Sequence, residues 1–415
     1  MQRSFTFVPL LVVCLLCIGP VIAQDAPTPE PVGLCADAPQ YAVHGPYWVG
    51  TRDFVLDPDS ERPLTITAWY PALNPEGLPE ETTYTIFEDC AIRAQFPDAT
   101  DWTIRGHALA NAAPDGSGGP YPLVIYSHGQ GGWRSEAAWS TEQLASMGFV
   151  VLAADHEGES PWESSFVLGL NRVDDIQRLI AYAEQLTSEN GELANQLDTD
   201  RIGVIGWSTG GTSALTAGGA QYDLKWLDQQ CATNPGVDPS GLECSFVQEN
   251  RSQLLAMAGL AEEPEGVWPS FGDPRVQAIV DRSGDNLRFG PEGLASVTVP
   301  LMVLAGTLDS SVPVATGAQM TYDDVSSSQK ALALFQDGDH MLFENACHTM
   351  PWVPSIQFEW FCSDAVWDLD RAHDLINHFT TAFLLSTLKG DVDATAALSP
   401  DAVSFPGIEY EAEGF

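Results

Sequence analysis

The sequence predicts an α/β protein built on a mostly parallel, doubly wound sheet, and two patterns carry that prediction. Short, nearly continuous apolar runs that close on polar or glycine residues recur as "YPLVIYSHG", "FVVLAADHEG", "RIGVIGWS", "VQAIVDRSG", "VPLMVLAGTLD" and "KALALFQDGDH". Runs that are apolar on both faces are strands covered from both sides, as the crossover helices of a parallel sheet cover them. Helical patterns lie between these runs. Val173, Ile176, Leu179, Ile180, Ala183 and Leu186 recur at three- and four-residue steps, with Asp174 and Asp175 in the first turn, where the helix dipole favours negative charge. In such a sheet, ligands are expected beyond the carboxyl ends of the strands.

The chain opens "MQRSFTFVPLLVVCLLCIGPVIAQ", in which Arg3 precedes an apolar run ending in Val21-Ile22-Ala23. That is the pattern of a secretory signal, residues 1–23, cut near Ala23. A lipoprotein anchor at Cys14 or Cys17 is the competing reading, but neither cysteine follows the small residues such a site needs. No other stretch reaches the ~18 apolar residues of a membrane span, so an exported protein without a transmembrane segment is expected. Residues 24–45, with the Pro-rich "QDAPTPEPVG", read as a loose N-terminal segment. Residues 46–390 read as one domain, which includes the β-favouring "RPLTITAWYPAL" and closes with the amphipathic "DLDRAHDLINHFTTAFLLSTL". Within it, residues 221–273 separate a helix from the next strand by far more than the usual connection and read as an inserted lid or cap. Residues 391–415 read as an acidic, solvated tail.

Loss of the signal would leave Cys35, Cys90, Cys231, Cys244, Cys347 and Cys362, an even number suited to an oxidising compartment. Short spacing favours the pairs Cys231–Cys244 and Cys347–Cys362, while the absence of C-x2-C spacing in the mature chain argues against zinc. The net charge of -40 arises from 57 acidic against 17 basic residues, spread along the chain. Such a surface repels nucleic acid and anionic membranes and fits a solubility or high-salt adaptation better than a cationic substrate. A hydrophobic content of 44% excludes a disordered chain.

The segment "RIGVIGWSTGGTSAL" supplies the chemistry. Ser208 sits between Gly206 and Gly210, after an apolar strand and before small residues compatible with a helix. A serine hydroxyl becomes a useful nucleophile only when presented free of steric cover to a base, and a sharp strand-to-helix turn presents it so. The flanking glycines remove side chains that would collide in that turn. Such a nucleophile needs an acid and a histidine later in the chain. His340 in "FQDGDHMLF" directly follows the last predicted strand; His348 is the alternative, and His373 and His378 fall on the closing helix. Asp309 in "LAGTLDSSVPV" is the orienting acid, with Asp281 in "AIVDRSG" as its rival one strand earlier. The oxyanion donors are expected to be the amides of Thr209 and of Gln130 in "SHGQGG". His128 is expected to brace that loop by hydrogen bonds, and Trp133, Trp207 and His156 are candidate substrate-binding residues from their places beside the motifs.

These residues resemble the α/β-hydrolase superfamily, and within it the platelet-activating-factor acetylhydrolase and predicted dienelactone-hydrolase-like branch. The resemblance rests on "RPLTITAWYPA", "YSHGQGGWRS", "LASMGFVVLAADHEGES", "DTDRIGVIGWSTGG" and "GDH"; "GWSTGG" with "GTLDSSVPV" also looks like the bacterial cutinases and polyester hydrolases. It implies an α/β-hydrolase fold and hydrolysis of a small-molecule, lipid or polymer carboxylic ester through a serine acyl-enzyme, without metal or organic cofactor. Dienelactone hydrolases proper have cysteine where this chain has Ser208. The acetylhydrolase pattern favours Asp281, whereas the D-x-x-V-P pattern favours Asp309. A different class of reading is a catalytically silent module that binds through the insert, and a third is another acyl transfer, thioester or peptide cleavage.

Overall fold

The computed structural model describes residues 27–86, 96, 99, 101–156, 170–241 and 243–415; the expected signal, Cys90 and the end of the "DHEGES" stretch lie outside the described residues. The strands are β1 (Trp48–Leu56), β2 (Leu64–Ala72), β3 (Thr82–Thr85), β4 (Thr103–Gly106), β5 (Leu109–Ala110), β6 (Tyr121–Ser127), β7 (Val150–Ala154), β8 (Leu197–Trp207), β9 (Val276–Arg282), β10 (Leu301–Gly306), β11 (Lys330–Phe335) and β12 (Ile408–Glu413). Ten of them form one sheet in the order β12-β11-β10-β9-β8-β6-β7-β2-β1-β5, and β3 pairs with β4 separately. From β11 to β7 every neighbouring pair is parallel, while β12, β2 and β1 join antiparallel at the flanks.

The sheet divides the core into two layers because successive side chains point to opposite faces. Leu123 and Ile125 of β6 join Leu152, Val204 and Ile279 on one side, under the helix α1 (Leu170–Leu186). Val124 and Tyr126 of the same strand join Val151, Ile205 and Val280 on the other, under α2 (Leu369–Lys389). The side chain of Asp368 accepts a hydrogen bond from Arg371 N at the start of α2, and Gly390 ends it in the left-handed conformation.

Three sequence expectations change. Residues 27–47 carry no helix or strand, yet they are tied down: the amides of Leu34 and Cys35 donate to Asp374 at 3.0 and 2.8 Å, and Tyr41 N donates to His378 Nδ1. The tail expected to be solvated instead ends in β12, which pairs with β11 from Ile408 to Glu413. The 221–273 insert forms helices at Leu224–Thr233, Cys244–Glu249 and Arg251–Met257, and it is anchored in the core by buried Leu227, Leu254 and Trp268. A segment seated that deeply is part of the body, with Ser240 reaching the cavity described below. The disulfides Cys231–Cys244 and Cys347–Cys362 form as the spacing predicts, and Cys35 has no disulfide partner among the described residues.

Candidate active site

The parallel strands end on one rim, and Ser208, Asp309 and His340 follow the ends of β8, β10 and β11 there. Ser208 follows β8 directly, with φ 54° and ψ -124°, a backbone state that costs an ordinary residue about 1–3 kcal/mol. The turn is tight enough that a Cβ on Gly206 would meet the Gly210 carbonyl oxygen at 1.9 Å, and one on Gly210 would meet the Ser127 carbonyl oxygen at 2.0 Å. Only hydrogen fits at either place, so the motif's glycines follow from the geometry of the bend. Ser208 N donates to Arg282 O at 2.9 Å, tying the bend to the end of β9.

His340 lies past the end of β11, with Nδ1 2.8 Å from Asp309 Oδ2 and both residues buried. The other oxygen of Asp309 accepts the amides of Ser311 and Val312 at 2.9 and 2.7 Å, so its carboxylate is held from behind while it faces the imidazole. Asp281 is fully buried and occupied elsewhere: Gly284 N and Asn286 Nδ2 donate to it at 2.8 and 2.7 Å, and burial pushes its carboxyl up to about 7. His348 is exposed, 3.8 Å from Asp370. His373 and His378 are core residues of α2, which burial pushes down to about 3 and about 4.

Ser208 and His340 line one cavity of about 470 Å³, together with the loop Gly129–Gln130–Gly131–Gly132 and with Trp133 and Trp207. The ring of Trp207 lies 5.4 Å from that of His340. Thr209, the first residue of the helix Thr209–Ala217, is half-buried and not among the lining residues. His156 is not among them either, which corrects its reading as a pocket residue. Asp175 of α1 takes its Nδ1 at 3.0 Å and Ser127 its Nε2 at 2.9 Å, and these partners turn the ring behind the loop. His128 bonds Gly129 O through Nδ1 at 2.7 Å and accepts His156 N at Nε2, so its ring is built into the loop.

Two buried carboxyl groups flank the site. Glu136 lines the cavity, accepts Gly129 N and the Tyr126 hydroxyl, and is pushed up to about 8 by burial. Glu344, buried and facing it electrostatically, is also pushed up, first by burial and then by Glu136. Among the described residues no group of three or more histidine, cysteine or carboxylate side chains is arranged to hold a metal ion. The chemistry available is that of a serine hydroxyl, an imidazole backed by a carboxylate, and backbone amides around an apolar hollow.

Comparison with known proteins agrees with this architecture. A family model described as PET hydrolase-like matches residues 112–234, from before β6 to beyond Ser208. The chain has the α/β-hydrolase fold. It is 32% identical to Cutinase est1 of Thermobifida alba over 105 residues, 25% of this chain and 33% of the cutinase. It is 30% identical to platelet-activating factor acetylhydrolase of Cavia porcellus over 28% of each chain, and 25% identical to a monoacylglycerol lipase of Mycolicibacterium smegmatis over 54% of this chain and 82% of that one. The chain thus spans about a third of the length of the Thermobifida cutinases it matches.

On this hydrolase fold, one part of the cavity wall was not anticipated. Trp352, Ile356, Phe358, Trp360 and Phe361 line it, all from the segment enclosed by the Cys347–Cys362 disulfide. The signal was present in the sequence as the aromatic density of "MPWVPSIQFEWFC". Trp133, whose ring lies 6.0 Å from that of Phe361, and Trp207 extend this wall, and the polar residues lining the hollow are Gln130, Glu136, Ser208, Ser240, Ser311 and His340.

Proposed function

We propose that the protein is an exported serine carboxylic-ester hydrolase working through an acyl-enzyme. The observation that carries this is His340, backed by Asp309 at 2.8 Å and lining the same cavity as Ser208 and the Gln130 loop. Ser208 Oγ attacks the ester carbonyl carbon while His340 takes its proton, and Asp309 holds the imidazole with Nδ1–H toward the carboxylate. The carbonyl oxygen becomes an oxyanion, met by the amides of Gln130 and Thr209. Collapse breaks the carbon–oxygen bond, and His340 returns the proton to the leaving alcohol. Water then attacks the acyl-enzyme with His340 as base, releasing the carboxylic acid and restoring the serine.

The similarity to a cutinase, an acetylhydrolase and a lipase supports ester chemistry, and the aromatic cavity of about 470 Å³ favours an acyl group bulkier than acetyl, as in a cutinase-like or polyester substrate, over a phospholipid acetyl ester. Export is supported by the two disulfides, which persist in oxidising compartments. Among the described residues no helix is long and apolar enough to cross a membrane. Hydrolysis of p-nitrophenyl esters of increasing chain length by wild type and Ser208→Ala tests the reading. Loss of turnover in the variant, with covalent labelling of wild type alone by a phosphonate, is expected; equal rates would leave a binding module in its place.

A further inference from the structure

The loop that carries Gln130 is held from behind by a buried polar assembly which the hydrolytic scheme does not use. Arg172 of α1 is completely buried, and its guanidinium donates to the carbonyl oxygens of His128 and, at 3.0 Å, Gly129. The Gly129 oxygen also accepts His128 Nδ1 at 2.7 Å and Gly132 N at 3.2 Å, so three donors converge on one carbonyl. A trans peptide is rigid and planar, with its carbonyl and the following N–H pointing in opposite directions. Fixing the Gly129 oxygen toward Arg172 therefore fixes the Gln130 N–H away from it. Gln130 lines the cavity, and among the described residues no acceptor takes its amide hydrogen.

Behind the guanidinium stands a second serine–histidine–aspartate chain. Ser127 Oγ lies 2.9 Å from His156 Nε2, His156 Nδ1 lies 3.0 Å from Asp175 Oδ2, and Asp175 is held by Arg62 at 2.5 Å and Arg178 at 3.2 Å. Ser127 is wholly buried and cannot meet a substrate. Burial, then Arg172 and Arg62, push the His156 imidazole well below its usual range, so the ring is neutral, with Nδ1–H toward Asp175 and Nε2 accepting the Ser127 proton. Ser127 Oγ then has lone pairs free for Arg172 Nη1, 3.5 Å away. The chain thus adds a contact to the guanidinium besides the two loop carbonyls it spans.

We propose that Arg172, oriented by Ser127, His156 and Asp175, is a positioning residue that locks the Gly129–Gln130 peptide and polarises it, so that the Gln130 N–H stands ready for the oxyanion. The inference rests on the serine-hydrolase reading above. A charged donor on the carbonyl strengthens the N–H at the other end of the same peptide, and preorganised donors act on the charge that develops only in the transition state. The locked peptide therefore acts on turnover and leaves ground-state binding alone.

The test compares wild type, Arg172→Lys and Ser127→Ala on a soluble p-nitrophenyl ester, alongside the inhibition constant of a trifluoromethyl ketone that forms a tetrahedral adduct. Arg172→Lys keeps the charge but loses the fork that spans two carbonyls. It is expected to lower kcat by ~10–100-fold, somewhat less than deletion of a donor, with KM within about twofold. The trifluoromethyl ketone should weaken by the same factor as kcat/KM. Ser127→Ala, which removes one buried hydroxyl, should move both quantities in the same direction by a smaller factor, and it decides the matter if the arginine variant does not fold. Unchanged kcat and inhibitor affinity, or a rise in KM alone, would overturn the proposal. Activity surviving in Ser208→Ala would instead remove the hydrolase reading on which it stands.

Discussion

Asp309 presents one carboxylate oxygen to His340 and gives the other to the amides of Ser311 and Val312. An acid held in this way cannot swing off the imidazole, which fixes the tautomer a serine nucleophile needs. Asp309→Asn is expected to lower kcat on a p-nitrophenyl ester by on the order of 10³–10⁴-fold. Asp281→Asn should cost far less activity and show itself mainly as a lower melting temperature, because its partners are Gly284 and Asn286. A larger kcat loss in the Asp281 variant would reverse the assignment.

The bend at Ser208 leaves no room for a methyl group at Gly210, whose Cβ would lie 2.0 Å from the Ser127 carbonyl oxygen. Gly210→Ala is expected to displace β6 from β8 or prevent folding, with soluble yield and thermal unfolding as the readout. A variant with wild-type stability would mean the turn is wider than described.

Glu136 carries its proton to about pH 8 in the folded chain, whereas an unfolded glutamate releases it in the ordinary carboxyl range. Between those values the folded state binds more protons than the unfolded state, so this residue makes stability fall as pH rises. Buried His373 and His378, pushed down by desolvation, act in the opposite sense below about pH 6.5. Glu136→Gln keeps the neutral shape and removes the first slope. Relative to wild type, its melting temperature should therefore rise from pH 5 to pH 8; a constant difference would show that Glu136 ionises normally.

The Cys347–Cys362 bond closes a loop whose aromatic side chains form one wall of the cavity. Replacing both cysteines by serine is expected to destabilise the protein by about 2–4 kcal/mol and to raise KM more for esters of bulky acids than for acetate esters. Denaturant unfolding and a KM series over acyl length would measure both. Uniform KM values across the series would detach this loop from the acyl pocket.

Strands β6 to β11 were legible because burial on both faces writes a continuous apolar run into the sequence, and the tight bend at Ser208 was legible because sterics demand its glycines. β1 was less visible, since "VGTRDFVL" mixes Arg52 and Asp53 into its apolar positions. The aromatic wall has no periodicity, as its side chains are placed by a disulfide and a cavity and not by a regular element. His156 was misread for a tertiary reason: what turns its ring is Asp175, brought alongside by the crossover of α1. β12 was hidden because Glu409, Glu411 and Glu413 interrupt Ile408, Tyr410 and Ala412 and make the segment look solvated.

Those three glutamates matter for what the outermost strand prevents. An unpaired sheet margin can template the addition of another chain, and a row of outward negative charge on a short margin discourages it. Removal of the last eight residues would bare Lys330–Phe335, whose six residues are all buried. The clipped protein should then self-associate at concentrations where the whole chain stays dispersed. If it does, part of the molecule's large negative charge works locally, as a guard against its own aggregation.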